Sequence, residues 1–255
     1  MKAVYAGCLL LLAAARLPAQ QPADTLGAPY VMPAIAGVSS EVVLDLGRAD
    51  VRVKRSGDAA VRVWLHALPG RAGPLPAAGE LASVAHHAGV MRVTASAAGR
   101  TAGVAIVVEV PDGITLEVRL DRGDIAITGV TGTLGLSTSR GDVHINAATG
   151  NALVDVKNGN IAASFHALDR AMPSAFATLN GNVDIIVPDD AGFALDARCR
   201  GCTARDVPGG DSLRRTRLAG QTQHDAIIAV HGPVQGGGPA LRVFTWNGEV
   251  SIRQR

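Results

Sequence analysis

The segment VEVPDGITLEVRLDRGDIAITGVTGTLGLSTSRGDVHINAATGNALVDVKNGNIAAS, Val108 to Ser164, carries one short phrase three times: RGDIAI from Arg122, RGDVHI from Arg140 and NGNIAA from Asn158. The central glycines Gly123, Gly141 and Gly159 are 18 residues apart. Further along, NGNVDI from Asn180 puts Gly181 another 22 residues on, and NGEVSI from Asn247 returns after a long insertion. Upstream, RADVRV from Arg48 is a degenerate copy with Ala49 in the glycine slot. A recurring period of this size describes stacked β-coils or a regular meander.

Strands place alternate residues on opposite faces, so the repeat can be checked position by position. Seven, five and three residues before the central glycine stand Leu116, Val118, Leu120; Leu134, Leu136, Thr138; Ala152, Val154, Val156; Ser174, Phe176, Thr178; and Leu241, Val243, Thr245. Two and four residues after it stand Ile125, Ile127; Val143, Ile145; Ile161, Ala163; Val183, Ile185; and Val250, Ile252. With Ala49 as reference the rule extends to Val42, Leu44, Leu46, Val51 and Val53. Between the paired strands an Arg-Gly or Asn-Gly turns the chain in two residues, because glycine accepts positive φ.

The expected fold is therefore all-β: a β-solenoid-like repeat stack with an irregular β-sandwich-like N-terminal part. An antiparallel β-sandwich is the alternative, since two-residue turns serve hairpins equally well. The N-terminal strands are read in VRVWLHA near Val61, VMRVTASA near Val90 and VAIVVEVP near Val104, with a Pro- and Ala-rich loop over Gly70 to Gly79. A turn of helix is expected around Phe165 to Ala171. Only 3% of the residues are aromatic against 47% hydrophobic, so the core must be built from Val, Ile, Leu and Ala.

Residues 1–19, with Lys2, an apolar run from Leu9 to Ala15 and small residues near Ala19, read as a secretory signal peptide. Residues 20–35 read as a flexible linker and 36–255 as the repeat domain. Cys8 precedes most of the apolar run, where a lipoprotein processing site does not belong. The apolar run is shorter than the roughly 20 residues of a membrane span, and no later segment qualifies. Of the 24 basic residues, Lys2 and Arg16 belong to the signal, which leaves 22 against 22 acidic ones. A balanced mature chain argues against nucleic acid as the main partner.

The stretches VEVPDGITLEVRLDRGDIAITGVTG from Val108, LNGNVDIIVPDDAGFALDA from Leu179 and HGPVQGGGPALRVFTWNGEVSI from His231 resemble the bacterial putative-adhesin domain family, a domain of unknown function with repeated NGDI- or GDV-like units. The resemblance spans roughly Val42 to Ile252. It implies a β-solenoid-like stack, export to the periplasm or cell surface, and no established catalytic residues or cofactor.

Cys199 and Cys202, in ALDARCRGCTARD, stand where that resemblance leads one to expect a turn rich in Ser, Thr and Asn. In an exported chain a CxxC pair is read as a structural disulfide, with metal binding and redox chemistry as the other readings. Haem attachment is excluded, since Thr203 stands where histidine would be required. Stacking would align Asp124, Asp142, Asn160 and Asn182 in a column, read as a turn ladder rather than a calcium column, because the calcium-binding nonapeptide pattern is missing. Seven histidines show no zinc-type pairing. Arg214, Arg215 and Arg217 are read as a solvated insertion loop, or as a contact for an anionic glycan or partner.

Apolar side chains on the outward register single out a candidate partner surface: Leu179 and Ile186 in the fourth repeat, Phe244 and Trp246 in the last. The bland alternative is that the insertion Asp206 to Pro239 folds over them. Three functional classes follow. The first is a non-catalytic envelope protein that binds or scaffolds a cell-envelope component or protein partner. The second is a self-assembling β-solenoid, which charged Arg253 to Arg255 would oppose by capping the end. The third is a polysaccharide-acting β-helix enzyme, which would need clustered carboxylates, whereas Asp142, Asp155 and Asp184 are scattered.

Overall fold

The computed structural model describes residues 28–33, 40–68, 77–200, 204–205, 213–218 and 227–255. The signal-peptide reading, most of the linker and Cys202 lie outside these residues. The described chain is nearly all strand. Its N-terminal part comprises β1 (Tyr30–Met32), β2 (Glu41–Arg55), β3 (Val61–Ala67), a short helix α1 (Ala78–Leu81), β4 (Ala82–His87), β5 (Val90–Ala95), a second short helix α2 (Ala97–Ala102) and β6 (Val104–Val110). The repeats follow as β7 (Ile114–Arg122), β8 (Ile125–Thr128), β9 (Thr131–Thr138), β10 (Val143–Asn158), β11 (Ile161–Leu168), β12 (Ser174–Asn180) and β13 (Val183–Val187). The C-terminal part is β14 (Phe193–Arg200), β15 (Ala204–Arg205), β16 (Arg214–Leu218), β17 (Ile227–Val234), β18 (Ala240–Asn247) and β19 (Val250–Gln254).

The strands stack in two parallel ladders. One runs β5, the first half of β2, β7, β9, the second half of β10, β12, β18 and β14. The other runs β6, the second half of β2, β8, the first half of β10, β11, β13, β19 and β15. Each turn of the chain thus lays one strand in each ladder and rounds a corner between them. The pairing is parallel along the stack, so the antiparallel sandwich is not the arrangement adopted. Register follows the repeat: Val154 lies beside Phe176 and Val156 beside Thr178, while Phe176 lies beside Val243 and Thr178 beside Thr245.

Every position assigned inward by the alternation, from Val42 in β2 to Ile252 in β19, is buried between the two ladders. Each buried Val, Leu or Ile contributes roughly 1.5–3 kcal/mol, which is how a core so poor in aromatics holds together. Phe165 and Phe176 meet edge to face inside it, 6.0 Å between centroids. Phe165 belongs to β11, which continues to Leu168, so the helical turn expected there is a strand. Burial of the Phe165 ring in the interior overrides the local pattern. Two helical turns occur elsewhere: α2 forms the corner between β5 and β6, capped by Ser96, whose side chain accepts the Gly99 N–H, and closed by Gly103.

The corners are held by three columns of contacts. The Asp/Asn column hands one bond from coil to coil: Asp142 N–H donates to Asp124 Oδ1 at 2.8 Å, Asn160 N–H to Asp142 Oδ1 at 2.7 Å, Asn182 N–H to Asn160 Oδ1 at 2.9 Å and Glu249 N–H to Asn182 Oδ1 at 2.9 Å. These side-chain oxygens are committed to backbone donors, as a turn ladder requires. Beside them Asn247 Nδ2 donates to Asn180 Oδ1 at 2.7 Å, and Asn180 Nδ2 to Asn158 Oδ1 at 2.8 Å. On the inner side Thr178 and Thr245 donate to the carbonyls of Gly159 and Gly181 at 2.9 and 2.8 Å.

Stack order departs from chain order at both ends. The coil of β2 lies between that of β5 and β6 and that of β7 and β8. At the far end, β18 and β19 fill the place between β12–β13 and β14–β15. Antiparallel strands extend three of the four ends: β4 on β5, β3 on β6 with β1 on β3, and β17 on β14 with β16 on β17, while among the described residues the second ladder closes on the parallel strand β15. Arg253 of β19 lies beside Ile186 of β13, in an ion pair with Asp184, and β15 adds to β19 at Val250 and Ser251. Arg214 and Arg215 likewise lie in strand β16 rather than in a loop.

Candidate partner surface on the first sheet

Three of the four outward apolar residues converge. Register pairs Thr178 with Thr245 and Asn180 with Asn247, which brings Leu179 of β12 beside Trp246 of β18; Ala177 pairs with Phe244. The Phe244 and Trp246 rings are 6.3 Å apart at 47°. Leu179 is 49% exposed, Trp246 38%, and Leu153 of β10, on the same face, 48%. Ile186 points from the second sheet, where it lines a shallow depression with His144, Asn146, Ser164 and Asp184. It is not part of the same surface.

The face is organised as rows across the strands. One row reads Leu153, Ala175, Arg242, Asp196, His231, Arg214. The next reads Asp155, Ala177, Phe244, Arg198, Ala229, Thr216. The two alanines of β12 leave a low floor between Leu153 and Asp155 on one side and Arg242 and Phe244 on the other. Beyond Phe244, the residues Asp196, Arg198, Thr216, Ala229 and His231 line an open depression of about 530 Å³.

Charge on this face is uneven. Arg200 lies with its guanidinium 5.2 Å from the centre of the Trp246 ring, a cation–π placement. Arg198 holds Asp196 through Nε–Oδ1 and Nη2–Oδ2 contacts, both 3.0 Å. Lys157, Arg242 and Arg214 are exposed, and none makes an ion pair within the described residues. From β10 across to β16 the face thus holds Lys157, Arg198, Arg200, Arg214 and Arg242 against Asp155 and Asp196. The insertion does not cover the aromatic pair with any of its described residues; β17 and β16 widen the sheet past β14 instead.

The remaining sequence candidates lie elsewhere. Cys199 is buried in β14, with Sγ 4.0 Å from the Ile228 carbonyl oxygen; its pairing with Cys202 falls outside the described residues. Asp142 is at a corner, Asp155 on the first sheet and Asp184 on the second, so they share no site. Among the described residues no group of three or more His, Cys, Asp or Glu is placed to hold a metal ion, and no helix is long and apolar enough to cross a membrane.

Leu153, Lys157 and Arg242 belong to the surface but escape a reading that looks only for aromatics. Their signal is positional: counting six, four and two residues back from each central glycine gives Leu153, Asp155, Lys157; Ala175, Ala177, Leu179; and Arg242, Phe244, Trp246. Arg198 and Arg200 have no such signal, because β14 reaches β18 out of chain order.

No protein-family model matches the chain, and no curated protein does. Among solved structures, one described as a putative cell adhesion protein from Clostridium sporogenes is similar at 9% identity and a TM-score of 0.41, over 89% of this chain and 99% of that one. A second, described as a putative adhesin from Bacteroides fragilis, is similar at 8% identity and a TM-score of 0.32, over 89% of this chain and 97% of that one. Any functional reading of this chain rests on its own residues.

Proposed function

We propose that the protein is an exported, non-catalytic binding module of the cell envelope, in the periplasm or at the cell surface, and that its contact surface is the outer face of the first sheet around Leu179, Phe244 and Trp246. The observation that carries this reading is the convergence of aromatic and aliphatic side chains on a face that the fold leaves open. Neighbouring exposed apolar side chains flanked by polar ones are the usual mark of a contact site, and aromatic residues and arginine dominate the energetics of such surfaces. The scattered carboxylates support a binding role over glycan cleavage, which needs a pair flanking one bond. The CxxC pair is assigned to a structural disulfide of the same exported chain.

Co-sedimentation of the mature chain with isolated cell envelopes tests the reading. Saturable binding that is lost in a Phe244→Ser, Trp246→Ser double variant, with its fold checked by circular dichroism, is the expected result. Wild-type protein that stays in the supernatant would sink it and favour self-association. That second reading has one physical difficulty in the described residues: the outer strands of the first sheet are β4, with its two histidines, and the arginine-rich β16, which blunt edge-to-edge pairing.

A further inference from the structure

We infer that the ligand of this face is an acidic polysaccharide, a chain of carboxylate-bearing sugars lying along β12 between β10 and β18. The inference deepens the envelope-binding reading and rests on it. Its first ground is charge complementarity. A chain balanced at 22 basic and 22 acidic residues outside its signal gathers Lys157, Arg198, Arg200, Arg214 and Arg242 on the outer face of β10, β12, β18, β14, β17 and β16, where among the described residues Asp155 and Asp196 are the acids that oppose them. Asp196 is already engaged by Arg198, so Arg242, Lys157 and Arg214 are the cations left to meet an incoming anion.

The second ground is shape. Ala175 and Ala177 form the floor of a trough whose far wall is Arg242 and Phe244 and whose end is Leu179 beside Trp246. The walls stand on strands two spacings apart, about 10 Å, which suits a single extended sugar chain. Pyranose rings present apolar C–H faces that pack on indole and phenyl rings, while the guanidinium fork of Arg242 matches a carboxylate in a planar, bidentate way. Arg200 over Trp246 keeps positive charge at the aromatic platform itself.

The other occupants of such a face fit less well. An extended peptide gains its affinity from an unpaired strand edge, and β12 is paired on both sides. An anionic membrane would press Asp155 and Asp196 against its own charge, and the apolar side chains here are too few to anchor in the acyl region.

Isothermal titration of the mature chain with an oligogalacturonate, a neutral dextran oligomer of equal length and phosphatidylglycerol vesicles decides among these. The expected result is saturable binding of the oligogalacturonate alone, about tenfold weaker in Arg242→Gln and in Trp246→Ala, both exposed positions. Raising the salt from low to high ionic strength should weaken it further, as for any pairing of exposed charges. Equal binding of dextran, binding of vesicles in place of the oligogalacturonate, or affinity untouched by both variants would overturn the inference. If envelopes sediment the protein but the oligogalacturonate does not bind, the glycan assignment fails while the envelope reading stands; if neither binds, both fail.

Discussion

Thr178 Oγ1 donates to the carbonyl oxygen of Gly159 at 2.9 Å, from inside the core to the corner of the preceding coil. Thr245 repeats the contact on Gly181 at 2.8 Å, and Thr138 makes longer contacts, 3.2 Å to the Arg140 carbonyl at its own corner and 3.4 Å to that of Gly123 at the preceding one. A buried hydroxyl at an otherwise aliphatic position is thereby explained: it satisfies a corner carbonyl that has turned inward. Thr178→Val keeps the shape and removes the donor, so it should destabilise the protein by about 1–3 kcal/mol, the cost of a buried unsatisfied acceptor. Thr178→Ser should recover most of that, apart from the lost methyl. Urea unfolding of the two variants measures the difference; equal midpoints would show that the bond contributes nothing.

Glycine at the corner is required by the stacking distance as well as by the turn. Gly141 has φ +138°, and a Cβ there would lie 2.1 Å from the Gly123 carbonyl oxygen, a backbone atom that cannot swing aside. Gly141→Ala should therefore cost more than about 3 kcal/mol, strain and clash together. Gly57 has open space around it, and Gly57→Ala should change stability by less than about 1 kcal/mol. A thermal melt of both variants checks the contrast, and similar shifts in the two would refute it.

The same columns show why so much of the architecture is readable in the chain. Period-2 alternation around the central glycines names the buried residues of β2, β7 to β13, β18 and β19, because a residue's face in a strand is fixed by parity alone. Parity also carries the outward rows that build the candidate partner surface up to Trp246. It carries nothing about which coil neighbours which. Phe244 and Arg198 are 46 positions apart in the chain and adjacent in the sheet, a relationship made by the out-of-order insertion of the last coil. For the same reason β19, the chain's last strand, is read as the end of the stack although β15 is added on its far side. The helix α2 went unread because its start signal is a single serine in a strand-like stretch.

Asp58, in the turn between β2 and β3, gives a pH dependence with a definite sign. Hydrogen bonds from Arg62, then from the Ala60 N–H and the Ser56 hydroxyl, hold its carboxyl well below the usual carboxylate range. A carboxyl depressed in the folded state adds stability above its unfolded value of about 3.9 and loses it as pH falls toward the folded value. The melting temperature of wild type should exceed that of Asp58→Asn at pH 7, and the gap should narrow steadily between pH 4 and pH 2. A gap that stays constant over that interval would mean the Arg62 contact does not depend on the charge of Asp58. The side chain is exposed, so the gap itself should be small.

The placement of β18 and β19 makes the last coil indispensable. Leu241, Val243, Val250 and Ile252 are all buried, and at roughly 1.5–3 kcal/mol each they account for a sum comparable with the whole stability of about 5–15 kcal/mol expected of a domain. In an array built in chain order, removing the final coil shortens the stack and leaves the rest intact. Here it would leave β12, still paired with β10, and β14, still paired with β17, facing one another across an empty strand position, about 10 Å apart, each with one edge unpaired. A chain ending at Gly238 should therefore lose cooperative unfolding, with the amides of β12, β13 and β14 that bond the last coil exchanging freely while those of β7 to β9 stay protected. Adding the 239–255 peptide in trans should restore protection, since an extended segment can complete a sheet that lacks one strand. Hydrogen exchange of the truncated chain with and without the peptide makes the measurement, and β12 to β14 protected as in wild type without the peptide would overturn the stack order that this prediction rests on.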